Sequence, residues 1–140
     1  MNLAAPQQIQ NYINGTFCAP QNRHFIENVN PATGEAYSET PDSDAMDIQI
    51  AVDSAQKAFP GWSTTTPEFR FKILNRISEL IDANLDALAL AESNDNGKPL
   101  WLSKKVDIPR ASENFRFFAT AIMHFASESH NMQDRAVNYT

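Results

Sequence analysis

The chain is 140 residues long and 42% hydrophobic, enough for one domain that buries roughly two-thirds of the surface its unfolded form exposes. Eleven Lys and Arg against seventeen Asp and Glu leave a net charge of −6 with no local basic cluster, which excludes nucleic acid as a partner on electrostatic grounds. The opening Met1-Asn2-Leu3-Ala4-Ala5-Pro6-Gln7-Gln8 lacks the cationic and apolar stretches of a secretion signal, and no apolar run approaches the roughly 18 residues of a membrane span. With a single cysteine, these features predict a cytoplasmic protein without a membrane partner.

The first predicted unit is a hairpin over Tyr12-Ile13-Asn14-Gly15-Thr16-Phe17, where Asn-Gly supplies the positive backbone angles of a tight turn. Two further strands, Phe25 to Asn30 and Glu35 to Thr40, flank the turn Pro31-Ala32-Thr33-Gly34 and complete a small antiparallel β-meander over 10–40. Its edges need covering by something else.

From Ser43 or Asp44 as N-cap the spacing becomes helical, with Ile48, Val52, Ala55 and Phe59 on one stripe and Pro60-Gly61 as the stop. A second helix opens with Thr66 as cap and Pro67 at its first position, and carries Phe69, Ile73, Ile77, Leu80 and Ile81 inward. Asn84 is placed to cap a third helix through Leu85, Leu88 and Ala91, which Gly97 ends in a left-handed conformation. A fourth stretch runs from about Leu100 to about Ser127, with a kink or a restart capped by Asp107 where Pro109 loses the bond to Lys105. Phe115, Phe117, Phe118 and Phe125 read as its packing surface, and Lys104 and Lys105 as solvated. Ala136 to Thr140 begins an alternating strand.

Local chemistry is sparse. Gly15, Gly34, Gly61 and Gly97 are isolated, so no phosphate-cradling loop can be built from them. His24, His124, His130 and Cys18 share no metal-ligand spacing, and Cys18 has neither a helix N-terminus nor a neighbouring cation to activate its thiol.

Two segments are more specific: Asn94-Asp95-Asn96-Gly97-Lys98-Pro99, then Asp107-Ile108-Pro109-Arg110 followed by Asn114-Phe115-Arg116-Phe117-Phe118-Ala119. Together with Val29-Asn30-Pro31-Ala32-Thr33-Gly34-Glu35 they resemble the N-terminal part of the aldehyde dehydrogenase superfamily. Asp107-Ile108-Pro109-Arg110 resembles the branch that oxidises 2-aminomuconic and 2-hydroxymuconic semialdehydes. The resemblance implies an α/β parent enzyme, of which this chain is a mostly helical N-terminal segment. It implies a layer over 43–128 packed on the cofactor domain, and a strand over 136–140 that begins a bridging, oligomer-forming element. The parent is then an NAD-dependent oxidoreductase converting an aldehyde to a carboxylate, and a homo-oligomer. In that family a cysteine thiolate adds to the aldehyde, hydride passes to the nicotinamide, and water cleaves the thioester. None of the catalytic or cofactor-binding groups falls within these 140 residues, so the chain alone is expected to be inactive.

Two sites follow from the resemblance. Arg110 matches an arginine that binds the substrate's carboxylate, for which the planar guanidinium fork is suited, and Val106, one turn earlier, lines the same tunnel. The competing reading is a surface pair of Arg110 with Asp107 or Glu113, three residues to either side. Asp95, with the backbone carbonyls of Asn28 and Val29, matches a structural monovalent-cation site, against the simpler reading of a helix-end carboxylate bonding nearby N–H groups. The alternative of a different class is a self-contained, non-catalytic module that binds a partner protein. A finished module should end on a cap or polar tail, so Asn138-Tyr139-Thr140, inside an alternating strand, favours the segment of a larger enzyme.

Overall fold

The computed structural model describes residues 7–124, 126, 129–132 and 135–139. Strands β2 (Asn11–Ile13) and β3 (Thr16–Cys18) form the expected hairpin, with Asn14 and Gly15 at φ 53° and 77°. Both central residues lie at positive φ, which matches the twist of the strands, and Tyr12 faces Phe17 with ring centroids 5.0 Å apart.

Strands β4 (Phe25–Asn30) and β5 (Glu35–Pro41) pair antiparallel, joined by a turn in which Asn30 Oδ1 accepts from the Ala32 N–H at 2.9 Å. The meander expected over 10–40 is corrected here. The hairpin is a separate two-stranded sheet, and the other sheet has the order β1-β5-β4, with β1 (Gln7–Gln8) parallel to β5. The short β1 segment covers the β5 edge that the sequence pattern left open.

Helix α1 (Ala45–Ser63) starts at Asp44 through a capping box: Asp44 Oδ1 accepts from the Met46 and Asp47 N–H groups, and Asp47 Oδ2 accepts from the Asp44 N–H at 3.1 Å. Ser43, the other candidate cap, bonds the Asn11 side chain instead. Pro60 does not stop α1, which runs on to Ser63. The late carbonyls are taken up by side chains: Pro60 O accepts from the Ser63 and Thr64 hydroxyls, and Trp62 O from the Thr65 hydroxyl and Arg70.

Helix α2 (Pro67–Ala83) begins as expected, Thr66 Oγ1 accepting from the Phe69 N–H at 3.2 Å. Asn84 does not cap α3 (Leu85–Asn96) with its side chain, which donates to Leu80 O and closes α2. Gly97 ends α3 at φ 75°. A Cβ there would meet the Pro31 Cβ at 3.1 Å and the Ala32 nitrogen at 3.2 Å, so the end of α3 seats against the β4–β5 turn only because this residue is glycine.

The fourth helical stretch has three parts: α4 (Leu100–Leu102), a π-helical turn (Ser103–Asp107) and α5 (Ile108–Met123). The wider turn absorbs Pro109 without a break, the Ile108 N–H reaching back to Ser103 O. Asp107 is helical and caps nothing, which corrects its assignment as a restart cap. The helix also ends earlier than expected, at Met123. Strand β6 (Ser129–Met132), which periodicity did not announce, pairs antiparallel with the expected strand β7 (Ala136–Tyr139).

Helices α2 and α5 meet through small residues. Ser78 and Ser112 are buried with their hydroxyls 2.9 Å apart, Ala119 is buried one heptad on, and Arg116 pairs with Asp82 at 2.7 Å. The predicted stripe of α1 and the aromatic run of α5 lie largely exposed, as do Phe69 and Leu80, expected to point inward from α2. Ile48 is 62% exposed, Phe117 63% and Phe118 61%, so the aromatic run is not the helix-packing surface within this chain; Phe125 lies outside the described residues.

Candidate functional site

The π turn organises the most chemically pointed part of the chain. It follows α4 and meets α3 through the ion pair of Lys104 with Asp86 at 2.7 Å, while Asp107 pairs at 2.7 Å with Lys98, two residues past the end of α3. Lys104, expected to be solvated, is 40% exposed in its pair with the largely exposed Asp86. Lys98 also reaches Glu92 at 2.8 Å, and the hydrogen bonds it donates to Asp107 and then Glu92 push the Lys98 ammonium above its ordinary pKa.

Immediately beyond the turn stands Arg110, exposed, in the first turn of α5. Among the described residues it makes no ion pair: Asp107 is committed to Lys98, and Glu113 does not approach. Its guanidinium is therefore left with its donor fork open. Val106, four residues earlier, is 43% exposed and so belongs to the same open surface, not to the core. The surface pairing of Arg110 considered from sequence does not form.

The second predicted cluster also comes together, with a member the sequence did not suggest. Asp95 Oδ1 accepts from Asn28 Nδ2 and from the Tyr37 hydroxyl, each at 2.9 Å, and Asn28 Nδ2 also reaches the Tyr37 oxygen at 2.9 Å. These bonds, that from Asn28 foremost, hold the Asp95 carboxyl below its ordinary pKa. Burial and the neighbouring Asp95 raise that of Tyr37. The cause of Tyr37's arrival is a register shift: Asn28 faces Ser38 and Val29 faces Ala36, so Tyr37 is an extra residue on β5. Bulges re-aim side chains, and no residue type in this segment marks one.

Asp95, Tyr37 and Ser38 line an open cleft of about 480 Å³ with Ile9, Leu88 and Ile108. The Ser38 hydroxyl is buried there without a hydrogen-bond partner among the described residues. Asp95 is thus bound neither as a helix-end carboxylate nor solely to Asn28, and it shares the cleft lining with the Ser38 hydroxyl. Among the described residues, no three His, Cys, Asp or Glu side chains converge, and no helix is long and apolar enough to cross a membrane.

Comparison with known proteins gives these sites a context. Residues 17–140 match the model of the aldehyde dehydrogenase family. The chain is 42% identical over 124 residues to 2-aminomuconic semialdehyde dehydrogenase of Bos taurus, covering 89% of this chain and 25% of that protein. It is 41% identical over 116 residues to acetaldehyde dehydrogenase 2 of Cupriavidus necator, covering 83% and 23% respectively. Among solved structures it superposes on the NAD+ complex of an aldehyde dehydrogenase from Bacillus cereus with a TM-score of 0.90 at 28% identity, over 95% of this chain and 28% of that one. The chain therefore spans about a quarter of the length of the relatives it matches.

Proposed function

Since the chain belongs to the aldehyde dehydrogenase family, we propose that it is the N-terminal portion of an NAD-dependent enzyme that oxidises a carboxylated semialdehyde, and that Arg110 holds the substrate's carboxylate. The observation that carries this reading is the open Arg110 guanidinium beside the π turn, with Asp107, the carboxylate three residues before it, already engaged by Lys98. Identity alone does not choose the substrate, because the relatives named for a semialdehyde and for acetaldehyde stand at 42% and 41%. The open guanidinium at residue 110 is what favours the semialdehyde. An uncarboxylated aldehyde has no use for a fixed cation, whereas a carboxylate gains two charge-assisted hydrogen bonds from it.

In this reading Val106 lines the approach to the reacting aldehyde, and Arg110 anchors the substrate's carboxylate end, so that the aldehyde arrives in one orientation. NAD, when bound to the parent enzyme, accepts the hydride. The residues that hold it and the nucleophile belong to the remaining three quarters of the relatives' length. The parent is an oligomer of like chains in the cytoplasm, with the segment from 136 contributing a bridging strand. Asp95, with the carbonyls of Asn28 and Val29, would hold a monovalent cation, a reading supported by the lowered pKa of the Asp95 carboxyl and by a Ser38 hydroxyl that has no partner among the described residues in the same cleft.

The test is selectivity. In the full-length enzyme, Arg110→Ala is expected to lower kcat/KM for a carboxylated semialdehyde by about 30-fold or more, the scale of removing one partner from a desolvated charge pair, and to change that for acetaldehyde by less than about threefold. Equal losses on both substrates would refute the assignment.

A further inference from the structure

Asp107 precedes Arg110 by three residues on a helical backbone, a spacing at which opposite charges ordinarily pair. They do not pair here, and Asp107 is engaged from outside their helix. Asp107 Oδ2 is taken by Lys98 Nζ at 2.7 Å, and Lys98 is held from its other side by Glu92 at 2.8 Å. The backbone of Lys98 is itself clamped: Asn96 Oδ1 accepts from its N–H at 3.0 Å, and the Ser93 hydroxyl donates to its carbonyl at 2.6 Å. The Lys98 and Asp107 side chains are 25% and 33% exposed, against 66% and 51% for the open surface pair of Arg76 and Glu79. The Lys98 pair is therefore less screened by water and better able to hold Asp107 than a surface pair would be.

We propose that Lys98 is a positioning residue for substrate selection: by sequestering Asp107 it keeps Arg110 free for the carboxylate of the substrate, an assignment that rests on the Arg110 reading above. Without Lys98, the Asp107 carboxylate turns to Arg110 and competes with the substrate for the same donor fork. The competition raises KM for carboxylated aldehydes and leaves kcat, set by groups elsewhere in the enzyme, in place. Glu92 contributes by fixing Lys98.

The experiment uses the full-length enzyme with a carboxylated semialdehyde and with acetaldehyde. Lys98→Met is expected to raise KM for the carboxylated substrate about two- to fivefold, the range of a partly exposed ion pair, with kcat and the acetaldehyde parameters unchanged. Lys98→Arg retains the wild-type KM. Adding Asp107→Asn to Lys98→Met removes the competitor and restores KM, which a merely structural loss would not allow. Asp107→Asn alone, a milder change should Lys98→Met fail to fold, leaves KM for the carboxylated substrate unchanged or lower. A rise in KM for both substrates, failure of the double variant to recover, or a rise in Asp107→Asn would overturn the proposal. Arg110→Ala in parallel separates the two layers. If it discriminates between the substrates and Lys98→Met does not, the positioning role alone fails; if it does not discriminate, the Arg110 reading fails with it.

Discussion

Asp95 and Tyr37 share a hydrogen bond of 2.9 Å, and their responses to pH bound it from both sides. The Asp95 carboxyl is held below its ordinary value of 3.8, so its contribution to stability is present above that pH and is lost as pH falls through the folded value. The Tyr37 hydroxyl is raised above 10.0, so its contribution is present below that pH and is lost as pH rises through the folded value. The pair therefore contributes a plateau between about pH 5 and pH 9. Tyr37→Phe is expected to lower unfolding stability by about 1 kcal/mol on that plateau and to flatten its alkaline shoulder, as read by urea denaturation across the pH range. An unchanged shoulder would place the titrating group elsewhere. Asp95 was legible in the sequence through the motif around it, and Arg110 through its four-residue run. Tyr37 was not, because its place depends on a one-residue register shift between β4 and β5 that leaves no compositional mark.

Among the elements, local signals served best where one residue type has one backbone use. Asn14-Gly15, Thr66-Pro67 and Gly97 each ended or opened an element as their chemistry requires. Gly97→Ala combines a left-handed backbone with a close approach to the β4–β5 turn, and is expected to cost about 1–2 kcal/mol or more, measured as a lowered Tm. Prolines misled as stops: α1 passes through Pro60 and runs on to Ser63, where side-chain hydroxyls take the late carbonyls, and the π turn admits Pro109. The packing face of α5 was hidden for another reason. Periodicity gives weight to Phe115, Phe117 and Phe118, yet the buried positions are Ser112 and Ala119, where small side chains let α2 and α5 approach closely. Ser112→Leu should therefore destabilise the pair by about 1–3 kcal/mol through overpacking, beyond the loss of its bond to Ser78. A neutral effect would mean that the helices can separate at no cost.

At the scale of the whole molecule, the amphipathic faces read from sequence are real but lack their other half. Ile48, Val52 and Phe59 on α1, and Phe117 and Phe118 on α5, are all exposed, and the buried apolar core among the described residues comes down to Ala89 and Ala119. Apolar area of this extent marks a docking surface. In relatives four times as long, the remaining chain is available to cover it. The helical layer was thus recoverable from periodicity, whereas its tertiary contacts were not, because their partners are not among these residues. The isolated 140-residue chain is expected to bind an apolar dye such as ANS and to reduce no NAD in the presence of aldehyde; measurable turnover by the purified chain would contradict its place as a non-catalytic portion of the enzyme.

In the proposed function, this portion supplies the cation that recognises the substrate's far end. A crystal structure of the full-length enzyme with a carboxylated semialdehyde or its dicarboxylate product would show this directly. Carboxylate oxygens are expected about 2.7–2.9 Å from two nitrogens of Arg110, with Asp107 still on Lys98. A bound carboxylate with Arg110 turned away, or with Arg110 paired to Asp107, would contradict it.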